Sequence, residues 1–204
     1  MNVAHGLPVA RRAQELGNRH TTYTRFSRWN RTRAWARLLT AVRADLDPEE
    51  DFLDSTAIRA HLHAAGAPKK TATRALGRSR GGWGTKIHMM ADALGNPLSF
   101  TLTGAQQADI TQAPLLLDGV RAPQAVIADK GYDADALVAS IHHVGAVAVI
   151  PPRSHRLEPR TWERHRYRVR HLIENLFARL KRFRRLATQF AGFVMLASLS
   201  VWLA

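Results

Sequence analysis

Residues 124–150 read "QAVIADKGYDADALVASIHHVGAVAVI". "QAVIA" is a continuous apolar run, the pattern of a central strand covered on both faces. "DADALVASIHHVG" has helical texture, and "AVAVI" is a second buried strand, stopped by Pro151 and Pro152. Asp129 directly follows the first run. In open α/β sheets, ligands collect at the carboxyl ends of strands, so this aspartate draws attention first. Asp133 and Asp135 are the nearer candidates to cap the helix starting near Ala134, which leaves Asp129 without an obvious local task.

Working outward, "KIHMMAD" and "LSFTLT" flank the turn residues Gly95, Asn96 and Pro97. Strict alternation in the second piece suits a half-buried antiparallel hairpin. A short strand "FLDSTAI" begins at Phe52, and a helix is expected over about 110–119 with Pro114 in its first turn. Residues 61–85, rich in glycine and positive charge, read as a loop. Residues 1–47 read as a helical N-terminal segment in which Trp35, Leu38, Leu39 and Val42 share a face. The order strand, hairpin, helix, strand, helix, strand, helix predicts a mixed α/β sheet with helices packed on it. It forms one domain over 48–204.

The 204 residues carry a formal net charge of +14, which points to nucleic acid, an anionic membrane or an acidic protein partner. Cysteine is absent, which removes disulfide frameworks and thiolate zinc sites. The final run "FAGFVMLASLSVWLA" is shorter than the roughly 20 residues needed to span a bilayer, so a buried helix is expected and no membrane partner. With no charged-then-apolar leader, a cytoplasmic location is expected.

The stretch 167–185, "YRVRHLIENLFARLKRFRR", holds dense positive charge and a single carboxylate, Glu174. On a helical wheel Tyr167, Arg170, Glu174 and Lys181 fall within roughly 60° of one another, bordering an apolar stripe of Leu172, Ile173, Leu176, Phe177, Leu180 and Phe183. One reading is a surface ion pair between Glu174 and Arg170; the other is a carboxylate lining a cleft. Asp54 lies among Phe52, Leu53 and Ile58, an expensive place for an unpaired charge, unless it caps a short helix "STAIRA".

Other signals are weaker. "GRSRGGWG" lacks the Gly-Lys-Ser/Thr ending of a phosphate loop, and an arm whose Arg78 and Arg80 touch DNA backbone fits it better. Trp83 there could stack on a base or pack on the domain. His61, His63, His142 and His143 read as surface histidines rather than zinc ligands.

Six ordered blocks, "DSTAIRAHLHAAGA", "GRSRGGWGTKIH", "DALGNPLSFTLT", "ADKGYDADAL", "VIPPRS" and "YRVRHLIENLFARLKRFRRLAT", resemble the catalytic domain of bacterial insertion-sequence transposases of family five, the DDE type. Tyr167, Arg170, Glu174 and Lys181 match the family signature Tyr-x2-Arg-x3-Glu-x6-Lys. The resemblance implies a ribonuclease-H-like fold, with a five-stranded mixed sheet of order 3-2-1-4-5 and helices on both faces. It implies that Asp54, Asp129 and Glu174 form one acidic site for two Mg2+ ions, with Mn2+ able to substitute. It implies DNA contacts from Tyr167, Arg170, Lys181 and Lys130. The expected partner is double-stranded DNA, both the element's terminal inverted repeats and the target, bound by a homo-oligomer at the nucleoid. The implied activity is DNA strand cleavage followed by strand transfer. A non-catalytic repressor fragment and a nuclease that cuts without joining are the alternatives. Residues 1–23 depart from the family's usual N-terminal region, consistent with a truncated or second-frame product.

Overall fold

The structure is a computed structural model that describes residues 18–43, 49–59, 75–118, 123–181 and 190–203. Two helices open it, α1 (Arg19–Arg31) and α2 (Ala34–Val42), and the sheet then begins with β1 (Glu50–Arg59). The antiparallel strands β2 (Gly77–Ser79), β3 (Gly82–Ala91) and β4 (Pro97–Gly104) follow. A 3-10 turn (Asp109–Gln112), α3 (Ala113–Leu117), β5 (Ala125–Ala128), a second 3-10 turn (Lys130–Tyr132), α4 (Asp135–His143) and β6 (Val147–Val149) come next. The chain ends with α5 (Arg164–Tyr167), a third 3-10 turn (Arg168–Arg170), α6 (His171–Leu180) and α7 (Phe190–Trp202). The predicted mixed α/β sheet with helices is present.

β1 lies between antiparallel β3 and parallel β5, and β6 pairs in parallel with β5. β4 pairs with the other edge of β3, where β2 also pairs, so among the described residues the sheet has six strands rather than five. The extra strand comes from the segment expected as a loop over 61–85. Its described part, from residue 75, forms the β2–β3 hairpin instead, turning at Gly82 with φ +99°. Trp83 therefore sits on a strand, half exposed. His61 and His63 lie outside the described residues.

Alternation along β1 sends Phe52 and Ile58 to one face and Leu53 to the other. Phe52, Ile87, Met89 and Ile127 meet Ile173, Leu176, Phe177 and Leu180 of α6 and Val194, Ala197 and Val201 of α7. Leu53, Met90 and Val126 meet Leu116 and Leu117 of α3 and Leu137, Val138 and Ile141 of α4. The N-terminal helices pack on α7 through Trp35, Leu39 and Leu199, with Phe26 and Trp202 beside them. Leu38, expected on the apolar face of this segment, is instead 48% exposed. Trp202 donates from Nε1 to the Pro97 carbonyl at 2.9 Å, tying α7 to β4. Among the described residues no helix is long and apolar enough to cross a membrane.

Three local expectations change. The helix expected over 110–119 is a 3-10 turn followed by the five residues of α3, with Pro114 in its first turn. The predicted long helix of 167–185 keeps helical backbone through its described part but tightens to 3-10 at Arg168–Arg170. "STAIRA" is strand, so Asp54 is no helix cap.

Asp51, one residue before Phe52, is buried, and its Oδ2 has no hydrogen-bond partner. Burial first, and the Asp92 charge second, push its carboxyl up to about 7. The folded protein thus keeps a proton that the unfolded chain releases near the ordinary carboxylate value. The stability this contributes is complete below that value and is lost as pH rises through about 7. Asp51→Asn should match the parent protein near pH 4. At pH 8 it should melt about 4–8 °C higher, taking about 2 kcal/mol at roughly 2–4 °C each. Thermal unfolding across that pH range checks this.

Candidate acidic site

Asp54 lies in the middle of β1, beyond the last ladder pair with β5, Leu53↔Ala128. Asp129 is the next residue on the β5 side, so the two aspartates occupy matching positions on neighbouring parallel chains. Strands there run about 4.8 Å apart. Both share the parity of Phe52 and Ile127 and so face α6. Asp129 also has a local task after all: it caps the 3-10 turn, accepting the Gly131 N–H at 2.7 Å. A Cβ at Gly131 would meet that same Oδ1 at 2.8 Å, so a larger residue there would push the Asp129 carboxylate out of this position.

Glu174 sits on the exposed margin of α6, and Arg170, one turn earlier, links it to the sheet. Nη1 of Arg170 donates to Asp54 Oδ2 at 2.8 Å, and its Nη2 donates to Glu174 Oε1. The other oxygen of Asp54, Oδ1, accepts the Ser55 N–H at 2.8 Å. Burial raises the pKa of Asp54; the Ser55 N–H and Arg170 oppose the rise, and Asp129 adds to it. Burial works against the charge of Arg170, yet Asp54, Tyr167 and Glu174 outweigh it and raise its pKa. Tyr167 stacks edge-on against Trp162 at 5.0 Å, and the Arg170 Cζ lies 5.9 Å from the Tyr167 ring centre. The surface ion pair expected between Glu174 and Arg170 therefore forms, and through Arg170 it reaches Asp54 on the sheet.

The donor chemistry fits a hard divalent cation, because the acidic groups are carboxylates and such ions prefer their oxygens. Two neighbouring aspartates, one of them buried enough to resist ionising, also call for positive charge. Among the described residues, however, no three His, Asp or Glu side chains stand as a ready metal group. Arg170 takes the position between Asp54 and Glu174 instead.

The basic residues expected beside the site are dispersed. Lys130 follows Asp129 and is exposed. Lys181 ends α6 and is half-buried. Arg78 and Arg80 lie at the β2–β3 hairpin, and Arg78 pairs with Trp83, six residues along β3 from Met89, the partner of Asp54. That is about 20 Å along the strand. His142 and His143 are exposed in the last turn of α4, as expected.

Two groups of residues were missed from sequence. On the sheet face opposite Asp54, Asp109 Oδ1 accepts from Ser55 Oγ at 2.5 Å and from Lys86 Nζ at 2.8 Å. His88 lies beside them, bonded to Thr103 at 2.7 Å, with burial holding its imidazole down at about 4 and hence neutral. The alternation of Lys86 and His88 within "KIHMMAD" was the available signal for this network. The second group anchors the connection to α5. Asp133 does not cap α4; Ala134 takes that position, and Asp135 falls in the first turn. Asp133 instead accepts the Arg153 N–H at 2.8 Å and the guanidinia of Arg156 and Arg160 at 2.9 and 2.7 Å. Arg153 in turn donates to the carbonyls of Lys130 and Gly131, holding the turn that Asp129 caps.

With the geometry established, comparison with known proteins places the chain. The family model described as "Transposase DDE domain" matches residues 49–201. The chain belongs to the transposase DDE domain family. A Brucella ovis protein bearing the name of a transposase for insertion sequence element IS6501 is 41% identical over 127 residues, covering 58% of this chain and 98% of the relative. A Burkholderia cepacia protein named for the transposase of IS402 is 33% identical over 118 residues, covering 52% of this chain but only 54% of the relative. A solved structure, the Mos1 transposase paired-end complex with the left transposon end, gives a TM-score of 0.33 at 13% identity, covering 85% of this chain and 59% of that one.

Burial works against the Asp133 charge, but the Arg153 N–H, Arg156 and Arg160 outweigh it and hold its pKa below the ordinary value. Asp133→Asn should leave two guanidinia without their buried counter-charge, at about 1–3 kcal/mol. Trypsin should then cut at Arg153, Arg156 or Arg160 several-fold faster than in the parent protein, as followed by mass spectrometry.

Proposed function

We propose that this DDE-family chain cleaves DNA strands at the ends of an insertion sequence and joins the freed 3′ hydroxyl to target DNA. The observation that carries the proposal is the matched placement of Asp54 and Asp129 on adjacent parallel chains, with Glu174 joined to Asp54 through Arg170. Asp54, Asp129 and Glu174 would hold divalent cations, Mg2+ or Mn2+. Bound there, such ions would supply activation of the attacking oxygen and stabilisation of the leaving one.

The chain's own residues do the rest. β1 and β5 fix the two aspartates on a rigid sheet, so the acids need no reorganisation when substrate arrives. Glu174, on the exposed edge of α6, faces the side from which a duplex can approach. Arg170, Lys181 and Lys130 would contact DNA phosphates, with Tyr167 packing at the backbone. Arg78 and Arg80 extend the basic track along the sheet, where contacts add affinity without base specificity. The helices before residue 47 add further arginines for the element's terminal repeats. A homo-oligomer would bring two element ends together.

A non-catalytic DNA-binding role is the second reading, favoured by the guanidinium lying between two of the acids. Strand transfer from a labelled element end into plasmid DNA separates these functions. Joining is expected; cutting without joining would indicate a nuclease, and salt-sensitive binding alone a repressor. Asp129→Asn should bind DNA within about twofold of the parent protein and lose cleavage by at least roughly 100-fold. Retained cleavage would overturn the site assignment.

A further inference from the structure

We propose that Arg170 is the internal counter-ion of the acidic site: in the DNA-free protein its guanidinium holds the position between Asp54 and Glu174 that a divalent cation must take. The cation therefore binds by displacing it. This inference rests on the metal-site reading above and adds a competitor that belongs to the chain.

The geometry sets up the competition, because a guanidinium and a divalent cation repel each other and both seek the gap between Asp54 and Glu174. Asp54 has two oxygens, and each already accepts a hydrogen bond: Oδ1 from the Ser55 N–H and Oδ2 from Arg170 Nη1. The Ser55 amide belongs to β1 itself and cannot leave without disturbing the strand. The guanidinium can leave. It sits at the end of a long side chain on the 3-10 turn Arg168–Arg170, just before α6. Its second arm holds Glu174, the acid on the other structural layer. One side chain thus takes an oxygen from each layer, using the fork that makes arginine a bidentate partner for carboxylates.

Release has a destination. The face of Tyr167 already lies 5.9 Å from the Arg170 Cζ, and an aromatic face is a favourable resting place for a guanidinium. From there Arg170 is available to a DNA phosphate, so the same residue would serve the two states in turn.

Competition of this kind weakens apparent affinity by the fraction of time that the site is open. If Arg170 holds the acids about nine-tenths of the time, its removal tightens cation binding about tenfold. The test is Mn2+ titration of the full DNA-free chain, read by calorimetry and by the paramagnetic resonance signal of free Mn2+. Arg170→Gln should bind Mn2+ about tenfold more tightly than the parent protein. Arg170→Lys, which cannot fork across both acids, should fall between them. It also serves if the glutamine variant fails to fold. Arg179→Gln removes the same charge from an exposed position on α6 and should change affinity by less than about twofold. Unchanged or weaker binding in both Arg170 variants would overturn the proposal, as would an equal gain in Arg179→Gln. The acidic-site reading is judged separately by Asp54→Asn. If that variant binds Mn2+ as the parent protein does, or if no variant binds it at all, the site itself is wrong and this proposal falls with it.

Discussion

The acidic site depends on one constraint, the parallel pairing of β1 with β5. Its register sets Leu53 beside Ala128 and so delivers Asp54 and Asp129 to the same level, on the same face, at neighbouring chains. A slip of one residue would turn every side chain of β1 to the opposite face. The register is held from both sides, because β1 also runs antiparallel to β3 through eight matched pairs from Phe52↔Ala91 to Arg59↔Gly84. Apolar packing enforces it further. Phe52 and Ile58 enter the cluster with α6, whereas Leu53 enters the cluster with α3 and α4. The carboxylates are therefore presented by the most constrained strand of the molecule.

The strand carries polar cargo on both faces at the same height. Asp54 faces α6, while Ser55, its neighbour, turns to the other layer and bonds Asp109, which also holds Lys86. The Ser55 N–H completes the link by donating back to Asp54. One residue thus connects the acidic site to a partly buried network on the far side of the sheet. Tyr132 lies buried in that layer, where burial, then Asp109 and Asp54, raise its pKa and Ser55 opposes the rise. A neutral phenol there adds no charge to compete with the carboxylates.

Much of this was legible in the sequence. The apolar runs before Asp129 and before Pro151 gave the parallel strands β5 and β6, and the wheel through 167–185 placed Arg170 and Glu174 on one strip. What escaped detection was set by tertiary contact. "GRSRGGWG" looks like a loop because its glycines and arginines carry no periodicity, yet Gly77–Ser79 finds an edge of β3 to pair with. "STAIRA" could cap and start a helix in isolation, but flanking strands extend β1 through it to Arg59. Asp133 resembled a cap because local spacing says nothing about Arg156 and Arg160, more than twenty residues downstream. The tightening of the long helix to 3-10 at Arg168–Arg170 likewise has no glycine or proline to announce it.

The positive charge needs the same distinction between local pattern and tertiary use. A net charge of +14 suggests one continuous polyanion-binding surface. The structure divides it. Arg156 and Arg160 are consumed by Asp133 and Asp135, Arg166 by Glu50 and Glu163, and Lys86 by Asp109. Arg153 is spent on backbone carbonyls, and Arg43 on the Leu98 carbonyl. These bases organise the protein and have little left to offer a phosphate. Exposed bases such as Arg78, Arg80, Lys130 and Arg179 are differently placed, distributed from the hairpin to the rim of α6. Counting arginines therefore overstates the number of phosphates the protein can neutralise, and with it the steepness of its salt dependence. Under the counter-ion proposal Arg170 would belong to both groups in turn, structural while it pairs Asp54 and Glu174 and available once another cation takes its place.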